Sequence, residues 1–298
     1  MKATPTGVLK NLYFARGDAF TLGFNRFLVC GWIFYVYFFY RGHYASFWAE
    51  VPDVYWMPIH AYRWLPLPKL SATGLVAMDV VWCIALIATA VGFMTRYSSW
   101  IALLVGSYVV SFPQNFGKVD TSDGPVLLML FILAASRCGD AFSVDAWMSG
   151  KRQNDGVHNA AYGWPIRAGQ VLFVCIFFAA GVSKLKNSGI AWMTAENMSS
   201  ILLQVHYTGL PAGRMGLWLA DQPFICWVMA VSTVLCETLV PLALFSRRLS
   251  AMIVPALFAM IVGFKLCLGH WPVYLLVLFA FWIPWHRLPI VRTSSKAT

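Results

Sequence analysis

Five ionisable residues stand within or at the ends of long apolar runs: Arg26, Asp79, Lys184, Glu237 and Lys265. A charge in such a run is costly, so each of these groups must pair, complement a helix end or take part in function. Lys184 lies in FFAAGVSKLKNSG (177–189), with Gly181 one helical turn earlier on the same face, where a partner can approach closely. Two readings of Lys184 stand side by side. A lysine at the wet end of an apolar helix snorkels to water. A desolvated lysine, by contrast, is driven toward its neutral amine and becomes a general base. Lys265 as a neighbouring cation would act in the same direction, and His270 with Asp120 and Asp123 would complete a polar cluster. Glu237 is mid-helix, four residues before Pro241, which bends a helix and frees a backbone carbonyl. A carboxylate at that depth must be neutral or paired. Arg26, one turn inside the first run, snorkels or pairs with a carboxylate, and Asp79 complements a helix N-terminus. The candidate catalytic residues are therefore Lys184 as base, Lys265, His270 and Glu237. The candidate substrate-binding residues are Asp120, Asp123 and Arg26.

Other chemistry is not signalled. The sequence has no GxSxG, P-loop, HExxH, GxGxxG or CxxC motif, and its six histidines are well separated. His43 and His60 fall in an aromatic loop and read as interfacial residues. The seven cysteines mostly fall inside apolar runs and read as small buried hydrophobes, so no metal site is expected.

The elements that position these residues follow from composition. Of 298 residues, 59% are hydrophobic and 11% charged, and mean hydropathy is +0.66. A soluble domain carries about a quarter charged residues, so a soluble enzyme, a disordered tail, a collagen and a disulfide-stapled domain are excluded. Long unbroken apolar runs also exclude a membrane β-barrel, whose strands alternate. The expected fold is all-α: one multi-pass membrane domain over 1–298, with about eight spans. They lie near 22–40, 75–94, 98–112, 124–136, 166–184, 224–245, 250–268 and 271–285. An amphipathic helix near 190–205 is expected to lie on the membrane interface. No internal repeat and no linker divides the chain.

The net charge of +10 comes from scattered Lys and Arg, without the basic tract that nucleic acid would require. Counted over alternate loops, twelve fall on one side and six on the other. The positive-inside rule then places both termini in the cytoplasm of a cell-membrane protein, without a cleavable signal peptide. On that topology Lys184, Lys265, His270, Asp120 and Asp123 gather on the outer side.

Several segments, in order, resemble the HTTM (horizontally transferred transmembrane) proteins, the membrane region shared with vitamin K-dependent gamma-glutamyl carboxylases. They are LGFNRF (22–27), VGFMTR (91–96), QNFG (114–117), DGPVLLMLFILAASRCGDAFSVDAW (123–147), WPIRAGQVLFVCIFFAAGVSKL (164–185) and CETLVPLALFSRR (236–248). The resemblance implies that Lys184 is the base that deprotonates a reduced, vitamin K-like quinone. It also implies that Arg26 is the family's first arginine and Glu237 its membrane glutamate. Lys265 in GFKLCLG and the segment VDTSDG (119–124) stand where the family is expected to carry histidines. About a dozen residues follow the last predicted helix, so the soluble part that grips a peptide would come from a separate partner. Other members resemble sporulation-delaying protein B, which implies the alternative of a non-enzymatic helper in maturing or exporting a small secreted peptide. A solute transporter is a third reading, opposed by the absence of a repeat and of paired broken helices.

Overall fold

A computed structural model describes residues 17–40, 44–59, 61–65, 67–117, 123–150, 158–207, 214–269 and 272–287. Helices dominate them, beside one two-residue antiparallel pairing of Gly17–Asp18 with His158–Asn159. The helices that matter below are α1 (Ala19–Tyr35), α2 (Ala72–Val91), α3 (Thr95–Ser111), α4 (Asp123–Ala134), α5 (Ala160–Ser188), α6 (Ala195–Tyr207), α7 (Arg214–Ala220), α8 (Pro223–Leu239) and α9 (Arg247–Leu268). Five helical stretches are long and apolar enough to cross a bilayer: Ala19–Tyr40, Ala72–Val91, Ala160–Met193, Pro223–Leu244 and Arg247–Leu268. The shortest has 20 residues, about 30 Å at 1.5 Å per residue. They mark the chain as an all-α membrane protein. The other expected spans are shorter: α3 has 17 residues, α4 has 12, and Val273–Leu276 continues as a 3-10 segment to Trp282.

Helix ends follow from local sequence. Asp18 caps α1 by accepting from the Thr21 N–H at 2.8 Å, and Ser71 and Ser246 cap α2 and α9. Gly92 (φ 76°) ends α2 and Gly269 (φ 65°) ends α9, both in the left-handed region that glycine enters without strain. Pro241 lacks the N–H that would bond the Glu237 carbonyl, and α8 gives way there to a 3-10 segment, Val240–Leu244. One boundary differs from expectation. The fifth span was expected to begin at 166, just after Pro165, but α5 begins at Ala160 and runs through that proline. A proline removes one helical hydrogen bond, and near an end the helix tolerates the loss.

The chain packs as two compact units, Met1–Gly169 with Ile283–Thr298, and Gln170–Trp282. The division falls inside α5 and not in a linker. In the first unit α1 and α3 both lie against α2, and α4 lies against α3. Trp82 is fully buried and seats on Gly106, where an added Cβ would meet the indole nitrogen at 2.5 Å. The opposite face of α2 exposes Val76, Val80, Ile84, Ile87 and Val91, as a lipid-facing stripe does. The loop before α2 is pinned by Asn115: its carbonyl takes the Met57 N–H at 2.7 Å and its side chain takes the Ile59 N–H at 3.0 Å.

In the second unit α6 sets Met198 and Leu202 into a core with Leu219, Cys226, Ala230 and Cys267. α6 is thus the amphipathic helix expected near 190–205, begun later, after a 3-10 turn at Gly189–Met193. Phe173, Phe177 and Phe279 form an aromatic cluster, and the Gln170 side chain donates to the Phe281 carbonyl at 2.9 Å.

Gly106→Val forces the Trp82 ring out of its seat. The expected cost is about 1–3 kcal/mol, read as a lowered midpoint of thermal unfolding in detergent against wild type.

Candidate functional site

The second unit brings Lys184 and Glu237 together. Lys184 Nζ donates to both Glu237 carboxylate oxygens, at 2.8 Å (Oε1) and 2.6 Å (Oε2). Three local features of the sequence make this possible. Gly181, one turn before Lys184, lets α8 come close: an added Cβ would meet Glu237 Cβ at 2.9 Å and the Thr238 methyl at 3.0 Å. Pro241 then ends the α-helix one turn past Glu237. Trp192, in the turn after α5, lies with its ring centroid 5.2 Å from Lys184 Nζ, at cation–π distance. The pair is asymmetric: Glu237 is 2% exposed and Lys184 21%. The carboxylate is enclosed and the amine keeps one approachable side.

Arg26 is fully buried in the first unit, so it does not snorkel, and among the described residues it makes no ion pair with a carboxylate. Its guanidinium donates to main-chain carbonyls: Nη1 to Cys138 at 2.5 Å, and Nη2 to Phe142 at 2.5 Å and to Ala90 at 3.4 Å. It thereby clamps α1 to the end of α2 and to the turn that follows α4. The segments VGFMTR and GDAFSVD interlock at this clamp. Asp145 accepts from the Met94 N–H at 2.8 Å and the Thr95 N–H at 2.7 Å, so its carboxylate caps α3. Ser143 donates to the Gly139 carbonyl at 2.5 Å and accepts from the Ala146 N–H at 3.0 Å. Gly139 lies against Thr95 and Gly92 against Ser143. Burial alone would push the Asp145 carboxyl up. The Thr95 and Met94 N–H groups and the Arg26 charge outweigh burial and hold it below the ordinary carboxylate range.

Asp123 is buried at the start of α4. It accepts from the Tyr37 hydroxyl at 2.7 Å and from the Gln114 amide at 3.3 Å. Asp79 is buried on α2, beyond its first turn. Lys265, in the last turn of α9, is exposed, and its side chain makes no ion pair or hydrogen bond among the described residues. Asp120 and His270 lie outside the described residues, as do His43 and His60. The described residues hold no group of three or more His, Cys, Asp or Glu that could bind a metal. Of the expected residues the structure therefore joins Lys184 with Glu237, and sets Arg26 and Asp123 each in its own hydrogen-bonded centre. Residues that sequence reasoning missed are Trp192, Tyr37, Gln114 and Asp145. The last was open to discovery: Ser-x-Asp before a short helix is a capping pattern, although the helix that Asp145 caps is a different one.

No family model, curated protein or solved structure matches the chain.

Asp145→Ala removes the α3 cap, at an expected cost of about 1 kcal/mol. Because the native carboxyl titrates below its unfolded value, its contribution is fully present above the ordinary carboxylate range. It is lost as pH falls through the lower native value. The unfolding midpoints of wild type and variant should differ at pH 7 and converge as pH drops below about 4.

Proposed function

We propose that the chain is an integral membrane enzyme of the carboxylase-like kind, with Lys184 and Glu237 as its acid–base couple. The observation that carries this reading is the pair itself: a lysine bonded to both oxygens of an enclosed glutamate, between two helices long and apolar enough to span a bilayer. Ionisable groups at such positions are a functional site by default. The charge count supports cytoplasmic termini, with the Lys184 end of α5 on the outer side.

The chemistry follows from one proton. Passing it from Lys184 Nζ to Glu237 would leave a neutral amine beside a carboxylic acid. The amine then takes a proton from a substrate hydroxyl: the O–H bond breaks, an N–H bond forms, and the new ammonium holds the oxyanion. The Trp192 ring face and the approachable side of Lys184 suit a flat, hydroxyl-bearing ring. A reduced quinone bound there would supply an acidic ring hydroxyl. The chain would then modify, or help to mature, a small secreted peptide carried by a separate soluble partner.

The test compares the secreted and membrane-associated peptides of the native host by mass spectrometry, for wild type, Lys184→Ala, Lys184→Arg and Glu237→Gln at matched membrane levels. Arginine keeps the charge but cannot give up its proton. The modified peptide should vanish with both lysine variants and fall about a hundredfold or more with Glu237→Gln. Rescue by arginine but not alanine contradicts the base and leaves a docking cation, as in a non-enzymatic helper.

A further inference from the structure

Beyond the Lys184–Glu237 couple, a second site lies in the first unit, at the start of α3 and the end of α4, near the Arg26 clamp. An open cleft of about 660 Å³ is lined there by Arg96, Arg137, Ser136, Ser149, Trp100 and Asp140, among others. Its charges are not all spoken for. Asp145, also on its wall, has its oxygens engaged by the Met94 and Thr95 N–H groups. Asp140 accepts from the Tyr162 hydroxyl at 2.9 Å and lies 3.9 Å from Arg137 Nε. Arg96 makes no ion pair or side-chain hydrogen bond among the described residues, and it is exposed. The cleft thus presents one guanidinium without an ion pair among the described residues and a second held only loosely, while its Ser136 and Ser149 hydroxyls already donate to the Leu133 and Ala146 carbonyls, at 2.8 and 3.1 Å. Guanidinium groups are the donors that bind phosphate oxygens.

What continues from the cleft is apolar. Trp100, on its wall, meets Phe131 of α4 edge to face, with ring centroids 6.4 Å apart. From there Ile101 and Leu104 on α3 and Leu128 and Phe131 on α4 form an exposed strip along both helices. A phosphate site at one end of a strip shaped for acyl chain describes an amphiphile. We infer that this cleft binds the headgroup of an anionic phospholipid, its phosphate on Arg96 and Arg137 and its chains along α3 and α4. A free phosphate would use the same donors but not the strip.

The full chain, purified in a zwitterionic-free detergent, would be titrated with phosphatidylglycerol, with phosphatidylcholine of the same chains, and with inorganic phosphate. Binding is read as the shift in unfolding midpoint. Phosphatidylglycerol should raise the midpoint of wild type, and phosphatidylcholine and inorganic phosphate should raise it far less. Arg96→Gln should weaken the phosphatidylglycerol response roughly tenfold, the loss of one charge-assisted contact. Arg137→Gln, at a side chain 69% exposed, tests the same site where folding is not at stake. An equal response to phosphatidylcholine overturns the inference. So does phosphatidylglycerol binding unchanged in both variants, or inorganic phosphate matching the lipid.

Discussion

Charge is scarce in this protein, and where it enters an apolar helix it must be answered inside the fold. The Lys184–Glu237 pair is the plainest case. Two opposite charges meet through two short hydrogen bonds, one partner enclosed and the other approachable from one side. Truncating one member would strand the other, a penalty of about 3–5 kcal/mol for a buried pair. The glycine that admits the glutamate, the proline that ends its helix and the tryptophan over the lysine are all arranged around it.

Other charges held inside the fold are answered differently. Arg26 is surrounded by main-chain carbonyls, so its charge is spent on joining three stretches of backbone. Asp145 accepts from two backbone N–H groups and feels the Arg26 charge, which makes the turn after α4 and the start of α3 one structural unit. Asp123 accepts from neutral donors, a phenol and an amide. The Lys184–Glu237 pair instead sets a lysine against a glutamate directly, the carboxylate 2% exposed and the amine 21%.

Much of this was legible in the sequence, where the relevant signal is local. Length and hydropathy sufficed for the long helices, although α2 stops at Gly92 and α8 before Pro241, short of the expected bounds of 94 and 245, while α9 ends at Leu268 as expected. Gly181 before Lys184 announced a close partner, and Glu237 before Pro241 was the deep carboxylate in need of one. The Arg26 clamp was not legible, because its acceptors are carbonyls 64 to 116 residues away and any residue type supplies a carbonyl. The start of α5 was misplaced because Pro165 reads as a boundary, while the structure carries the helix through it. The span expected over 271–285 ends as a 3-10 segment at Val277–Trp282, whose uniformly apolar composition does not distinguish it from an α-helical span.

A buried ion pair can exist for stability or for chemistry, and the two are separable. Replacing both members at once, Lys184→Met with Glu237→Leu, removes the charges without stranding either, which is often neutral or stabilising for a fold. The deciding measurement is the amount of modified peptide made by this double variant at matched membrane level and unfolding midpoint. The account predicts a normally folded protein that makes none. A double variant that still makes the wild-type amount would contradict it and reduce the pair to a fastening between two helices.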